Sequence, residues 1–394
     1  MHRTRRALIS ALLATLTIAG TVGGATAATA ATTPGATPLV TASDEAPSTR
    51  LSLPRPTGPY PVGTSTLHLV DHDRLDPWVP ESGDRQLMVS MYYPAAVAVG
   101  RPSRYMTSDE ATALLGGLGL GDVEAGALSG TRTHALVDAP PLPRPRALPL
   151  VVLSPGFTLS RATLTGLAED LASRGYVVAT VDHAHETYGT TFPGGRVTPC
   201  VACEVDAPDL GDRVTEGRSA DVSFVLDRLT GPNPAWHGSW LIDSSRIAMV
   251  GHSVGGASAA RTMLEDDRVD AGANMDGSFF TDLTGLDRPF LMLGAPGPGG
   301  ADDPSWVREW EHLTGWKRWL ALTGSGHFSF IDFPLLAAQL GVTDPSVPLA
   351  GDRSMEITRA YVGAFLDQHL RGRSRPLLDG PSEAFPEVTF KPAG

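Results

Sequence analysis

The sequence predicts an α/β protein built on a mostly parallel sheet flanked by helices. Three observations predict it. Between residues 148 and 322, short apolar runs alternate with helix-length stretches, the signature of repeated strand–helix–strand units. Inside that alternation the run Ile247-Ala-Met-Val250 meets Gly251-His-Ser253-Val-Gly255, a serine flanked by glycines where a strand gives way to a small-residue helix. Further on, an apolar run ends in Thr323-Gly-Ser-Gly-His327-Phe, a Gly-rich loop carrying a histidine.

From the N-terminus, the first 31 residues of the 394 read as an export signal rather than as fold. Arg3, Arg5 and Arg6 make a basic start, residues 7–18 are apolar, and Ala25-Thr-Ala27 and Ala28-Thr-Ala30 are small-residue cleavage candidates. The apolar run is too short, and too rich in Ala, Thr and Gly, for a stable membrane anchor. The Arg5-Arg6 pair suits twin-arginine export, and an ordinary basic start explains it as well. Residues 32–60, rich in Thr, Pro, Ala and Ser, predict a flexible segment. Residues 61–394 are expected to form one catalytic domain, because no internal repeat and no second hydrophobic core stand out.

Residues 67–71 and 86–93 predict a first antiparallel pair. Residues 101–146 hold a short helical stretch at 108–115 and the run Pro140-Pro-Leu-Pro-Arg-Pro145, a small insertion before the third strand. Strands are then expected at 148–153, 176–181, 246–250, 271–275, 289–293 and 319–322. Helices are expected at 162–174, 218–229, 254–264, 305–313 and 354–370, with a long loop over 183–213. That loop holds both cysteines, Cys200 and Cys203, which in an exported chain predict a small-loop disulfide.

Lys and Arg number 31 against 43 Asp and Glu, a formal net charge of −12. Removing the arginine-bearing signal makes the remainder more acidic. Such a surface argues against nucleic acid and anionic membranes as partners. A monomer is expected.

The Gly-x-Ser-x-Gly turn predicts the α/β-hydrolase fold with Ser253 as nucleophile. The turn lifts the hydroxyl clear of the backbone, and the helix N-terminus behind it offers free N–H groups to an oxyanion. A serine needs a base, and in this fold the chain order is Ser, acid, His. His327 is the candidate base. Asp276, leaving the strand at 271–275 with Gly277 behind it, is the favoured acid. Asp302 and Asp303 are rivals that read better as a solvated turn or a helix cap. The oxyanion hole is expected to combine the N–H groups of Val254 and Phe157, the latter in Ser154-Pro-Gly-Phe157 after a strand. His252, Phe328, Phe330 and His183 are candidate pocket residues. Asp182-His183-Ala-His185-Glu186 could hold a metal, but rim or packing roles fit better. No metal and no cofactor are implied.

The runs Val152-Leu-Ser-Pro-Gly-Phe157 and Leu167-Ala-Glu-Asp-Leu-Ala-Ser-Arg-Gly-Tyr-Val-Val-Ala-Thr-Val-Asp-His183 resemble the plasma-type platelet-activating factor acetylhydrolases, and more closely their secreted actinobacterial relatives. The elbow Gly-His-Ser253-Val-Gly-Gly, Asp276 one strand later and Gly-Ser-Gly-His327-Phe-Ser-Phe-Ile-Asp332-Phe are similar to that family's serine, acid and histidine segments. The resemblance covers about residues 65–390. It implies Ser253, Asp276 and His327 as the triad of a secreted esterase acting on short-chain or lipid esters. A lipase or polyester hydrolase with the same triad is the alternative.

Overall fold

The computed structural model describes residues 50–391. The segment expected to be an export signal and the first part of the segment expected to be flexible lie outside the described residues. Among the described residues, no helix is long and apolar enough to cross a membrane.

A ten-stranded sheet forms the centre, in the order β12 (Val388–Phe390), β11 (Lys317–Leu322), β10 (Phe290–Gly294), β9 (Ala271–Met275), β8 (Ile242–His252), β4 (Leu148–Ser154), β5 (Val177–His183), β2 (Asp84–Pro94), β1 (Val62–Leu75) and β3 (Leu136–Val137). Strand β1 pairs antiparallel with β2, and β2 pairs antiparallel with β5. The helices α1 (Ser108–Gly117) and α2 (Ala125–Ser129) and the two-residue strand β3 (Leu136–Val137) make up the expected insertion. The parallel core then runs β4 (Leu148–Ser154), α3 (Thr165–Ser173) and β5 (Val177–His183). A small hairpin, β6 (Thr190–Thr191) and β7 (Val197–Thr198), precedes α4 (Leu210–Thr230). Next come β8 (Ile242–His252), α5 (Val254–Glu265), β9 (Ala271–Met275), β10 (Phe290–Gly294), α6 (Pro304–His312) and β11 (Lys317–Leu322). The chain closes with α7 (Phe333–Gln339), α8 (Gly351–Arg371) and the antiparallel edge strand β12 (Val388–Phe390).

The strands of the parallel core are apolar on both faces because helices cover both. Successive residues point to opposite sides of the sheet. Val151 and Leu153 of β4 therefore join one buried cluster with residues of α3 and α8, while Leu150 and Val152 join another with residues of α4, α5 and α6. The single hydrophobic core expected from the sequence is thus two apolar layers on one sheet.

Several boundaries differ from expectation, among them β1, which spans 62–75, and β8, which starts at 242; two differences have a plain physical cause. Residues 50–60 are not free: Leu51 and Leu53 are buried, the Leu53 N–H donates to Arg132, and the Thr57 N–H donates to Asp170. Two leucines in a Thr- and Pro-rich context suffice to tie this segment to the domain. Helix α4 starts at Leu210 instead of 218, because Val214 is buried and Gly211 lets the Phe280 ring lie against the helix. The sulfurs of Cys200 and Cys203 are bonded, in the loop before α4.

Candidate active site

Strand β8 ends at His252 and α5 begins at Val254, so Ser253 alone makes the turn. Its φ is +56°, a left-handed conformation that a serine adopts only when its surroundings impose it. The Ser253 N–H donates to the Met275 carbonyl at 2.8 Å, which binds the turn to β9. The glycines of the motif are required by contact. A Cβ on Gly251 would collide with the Gly255 backbone, and one on Gly255 with the Ser154 carbonyl. Strand β4 and helix α5 therefore close on the turn from two sides.

Asp276 stands directly after β9, also at positive φ. Its Oδ2 accepts from His327 Nδ1 at 2.7 Å, and its Oδ1 from the Ala295 N–H at 2.6 Å. The carboxyl is buried, which pushes its pKa up; the hydrogen bond and charge of His327 oppose that shift. His327 opens a 3-10 turn after β11 and leaves part of its ring exposed. Because Nδ1 faces Asp276, Nε2 is the nitrogen left to act on another group. Asp303 instead accepts from the Ser305 N–H and caps α6, while Asp302 pairs with Lys391.

The loop after β4 lies over the same turn. A Cβ on Gly156 would come within 3.3 Å of Ser253 Cβ and 2.9 Å of His252 Nδ1, so that glycine permits the approach. The Phe157 N–H donates to no protein group among the described residues, whereas its neighbours are bonded: Thr158 to the Glu186 carbonyl and Leu159 to the Gly156 carbonyl. Val254 is the first residue of α5, so its N–H has no partner within the helix. Phe157 and Val254 thus each offer an N–H without a protein partner, one on the loop over the turn and one at the head of α5.

The pocket residues expected from sequence separate. Phe328 is 39% exposed, with its ring 5.5 Å from that of His327. Phe330 is buried in the core beneath the turn, because the 3-10 turn sends it inward, and offers no substrate surface. His183 is likewise buried, held between Ser154 Oγ and Asp221. His252 is buried and donates to the His327 carbonyl. Its pKa is pushed down to about 3 by burial and by His327, so it is neutral. Glu186 is engaged elsewhere, pairing with Arg218 and accepting from Trp78, while the buried Nδ1 of His185 has no hydrogen-bond partner among the described residues. Sequence reasoning missed Arg218 and Asp221, charged residues on α4 that are fully buried.

The profile of the family described as platelet-activating factor acetylhydrolase, isoform II, matches residues 46–193 and 239–373, most of the chain. The chain belongs to this family. A probable 1-alkyl-2-acetylglycerophosphocholine esterase of Arthroderma benhamiae is 30% identical over 86% of this chain and 93% of that protein. A solved ferulic acid esterase from Streptomyces cinnamoneus is 45% identical, with a TM-score of 0.77, over 86% of this chain and all but 1% of that one. Cutinase 1 of Thermobifida cellulosilytica is 29% identical over 28% of this chain and 32% of that protein. The family member described here has the α/β-hydrolase fold and is a serine carboxylic-ester hydrolase.

Proposed function

We propose that this esterase is exported and cleaves small carboxylic esters through an acyl-enzyme on Ser253. The observation that carries this reading is the His327–Asp276 pair, bonded at 2.7 Å, beside a serine held at φ +56° at the head of a helix. His327 Nε2 takes the Ser253 proton as Oγ attacks the ester carbonyl, then returns it to the leaving alcohol. Asp276 keeps Nδ1 protonated and stabilises the imidazolium. The N–H groups of Phe157 and Val254 hold the tetrahedral oxyanion. Water, deprotonated by His327, then releases the acid and restores the serine. The basic, apolar and small-residue succession over residues 1–31 supports export.

The preferred acyl group is short, in keeping with an acetylhydrolase family. A second reading, a hydroxycinnamoyl ester, is favoured by the 45% identity to a ferulic acid esterase. The exposed Phe328 ring beside His327 would face either acyl group. Replacing Ser253 by Ala is expected to lower p-nitrophenyl acetate hydrolysis by at least about 10⁴-fold with an unchanged circular dichroism spectrum. Retained turnover would sink the assignment. A series from p-nitrophenyl acetate to palmitate, with methyl ferulate alongside, separates the substrate readings. A maximum at long chains would instead support the lipase or polyester alternative.

A further inference from the structure

Behind the proposed oxyanion loop lies a buried network of charged side chains that the reaction itself does not use. Arg85, Glu186, Arg218 and Asp221 are each fully buried. Arg218 reaches from α4 and donates through Nη1 to the Pro155 carbonyl and, at 3.2 Å, to Ser154 Oγ. Its Nε donates to Glu186 Oε2 at 2.7 Å, and Glu186 Oε1 accepts from Trp78 Nε1 at 3.0 Å. Asp221 takes both Arg85 Nη2 and His183 Nδ1 on Oδ2, at 2.7 and 2.8 Å. With Nδ1 donating to Asp221, the neutral ring's Nε2 accepts from Ser154 O–H at 3.0 Å. Ser154 Oγ in turn accepts from Arg218.

These contacts hold three successive peptide groups of the loop. The Pro155 carbonyl is held by Arg218, the Gly156 carbonyl by the Leu159 N–H at 3.2 Å, and the Thr158 N–H by the Glu186 carbonyl at 2.9 Å. The Gly156–Phe157 peptide, whose N–H is free, is the middle one, held by its own carbonyl and by an anchored peptide on either side. Thr158 is at φ +71°, so the loop is kept in a conformation that it would not adopt unaided. Glu186 serves twice, with its side chain on Arg218 and its backbone on Thr158. Burying such charges is costly, and a mere packing role would be filled as well by apolar side chains. Arg218 and Asp221 both lie in 194–238, the stretch outside the match to the family profile.

We infer that Arg218, braced by Glu186, is a positioning residue for the oxyanion hole: it fixes the aim of the Phe157 N–H and so sets kcat rather than substrate affinity. The inference rests on the proposed role of Phe157. A donor aimed where the oxyanion forms acts on the transition state and hardly on the ground-state ester.

The test compares the parent, Arg218→Lys, and the double variant Arg218→Met/Glu186→Gln, which leaves no unpaired carboxylate behind. Each is assayed on p-nitrophenyl acetate and for inhibition by an alkyl trifluoromethyl ketone, which forms a tetrahedral oxyanion on the serine. The inference expects kcat to fall about 10- to 100-fold with KM within about twofold, and the ketone Ki to rise by the same factor as kcat/KM falls. A folded variant with unchanged kcat, or one whose loss is all in KM, or an unmoved ketone Ki, overturns it. Should the double variant fail to fold, Arg218→Lys decides: it keeps the buried charge and loses the forked reach. Ser253→Ala runs beside them. Activity surviving there defeats the functional reading, whereas loss there with full activity in Arg218→Lys defeats this inference alone.

Discussion

His252 Nε2 donates to the main-chain carbonyl of His327 at 2.7 Å, so the residue before the proposed nucleophile holds the backbone of the proposed base. The two rings are 4.7 Å apart. A carbonyl can only accept, so the proton of the neutral His252 sits on Nε2 and its buried Nδ1 is bare. Replacing His252 by Phe conserves much of the volume but leaves the His327 carbonyl without its donor. The expected outcome is a kcat about tenfold lower with little change in KM, and a loss of about 1–3 kcal/mol in urea unfolding. His252→Gln, which keeps a donor, is expected to recover part of both. Equal kcat in His252→Phe and the parent would remove the tie from the mechanism.

Asp276 accepts one hydrogen bond from His327 and one from the Ala295 N–H, so both its oxygens are engaged. Asp276→Asn keeps the shape but can offer an N–H where His327 requires an acceptor. The imidazole would then flip its tautomer and present a protonated Nε2 to Ser253. A fall of about 10⁴-fold in kcat is expected at neutral pH, with KM nearly unchanged. Asp303→Asn should by contrast leave kcat within about twofold, because that residue caps α6. A reversed ranking of the two variants would move the acid to Asp303.

What the sequence made legible, and what it hid, follows from range. Ser253, Asp276 and His327 were readable because each stands just after an apolar strand, where chain order and local composition suffice. Strand β9 matched its expected bounds for the same reason. Helix α4 was shortened because Gly211, Asp212 and Arg213 carry no apolar period; its first turns are held by Phe280 and Val214, contacts invisible along the chain. Arg218 reads as a solvated helix residue, yet Glu186, 32 positions earlier, draws it inside. His252 was read as a pocket residue because only its neighbour in sequence was known. Its true contact, the His327 carbonyl, lies 75 positions away. Phe328 and Phe330 are two residues apart and look equivalent, but one turn of 3-10 helix exposes the first and buries the second.

The Cys200–Cys203 bond closes a very short loop. Chain-entropy reasoning gives such a closure only about 2 kcal/mol. Replacing both by Ser is expected to lower stability by no more than that amount and to leave kcat on p-nitrophenyl acetate unchanged. Denaturant unfolding and steady-state kinetics check the two halves. A large drop in kcat would mean that the loop before α4 transmits to the site through Arg218.

Buried groups are expected to tilt the pH dependence of stability in opposite senses. Burial pushes Asp332 up to about 8 and Glu169 up to about 7. Folded chains then hold protons that unfolded chains release between about pH 4 and 8, so stability declines as pH rises through that window. His252 behaves in the reverse sense. Its folded pKa of about 3 lies below the ordinary value of 6.5, so unfolded chains bind the extra proton and stability declines as pH falls below about 6.5. The two contributions can be separated by substitution. Asp332 accepts from the Gly166 N–H, a contact that Asn can keep without titrating. The Tm of Asp332→Asn is therefore expected to fall between pH 5 and 8 by about 2–4 °C less than that of the parent. His252→Phe is expected to remove the opposing contribution, so that its Tm gains on the parent's as pH falls from about 6.5 to about 4. Parallel Tm curves for parent and both variants would show that neither buried group governs the pH response.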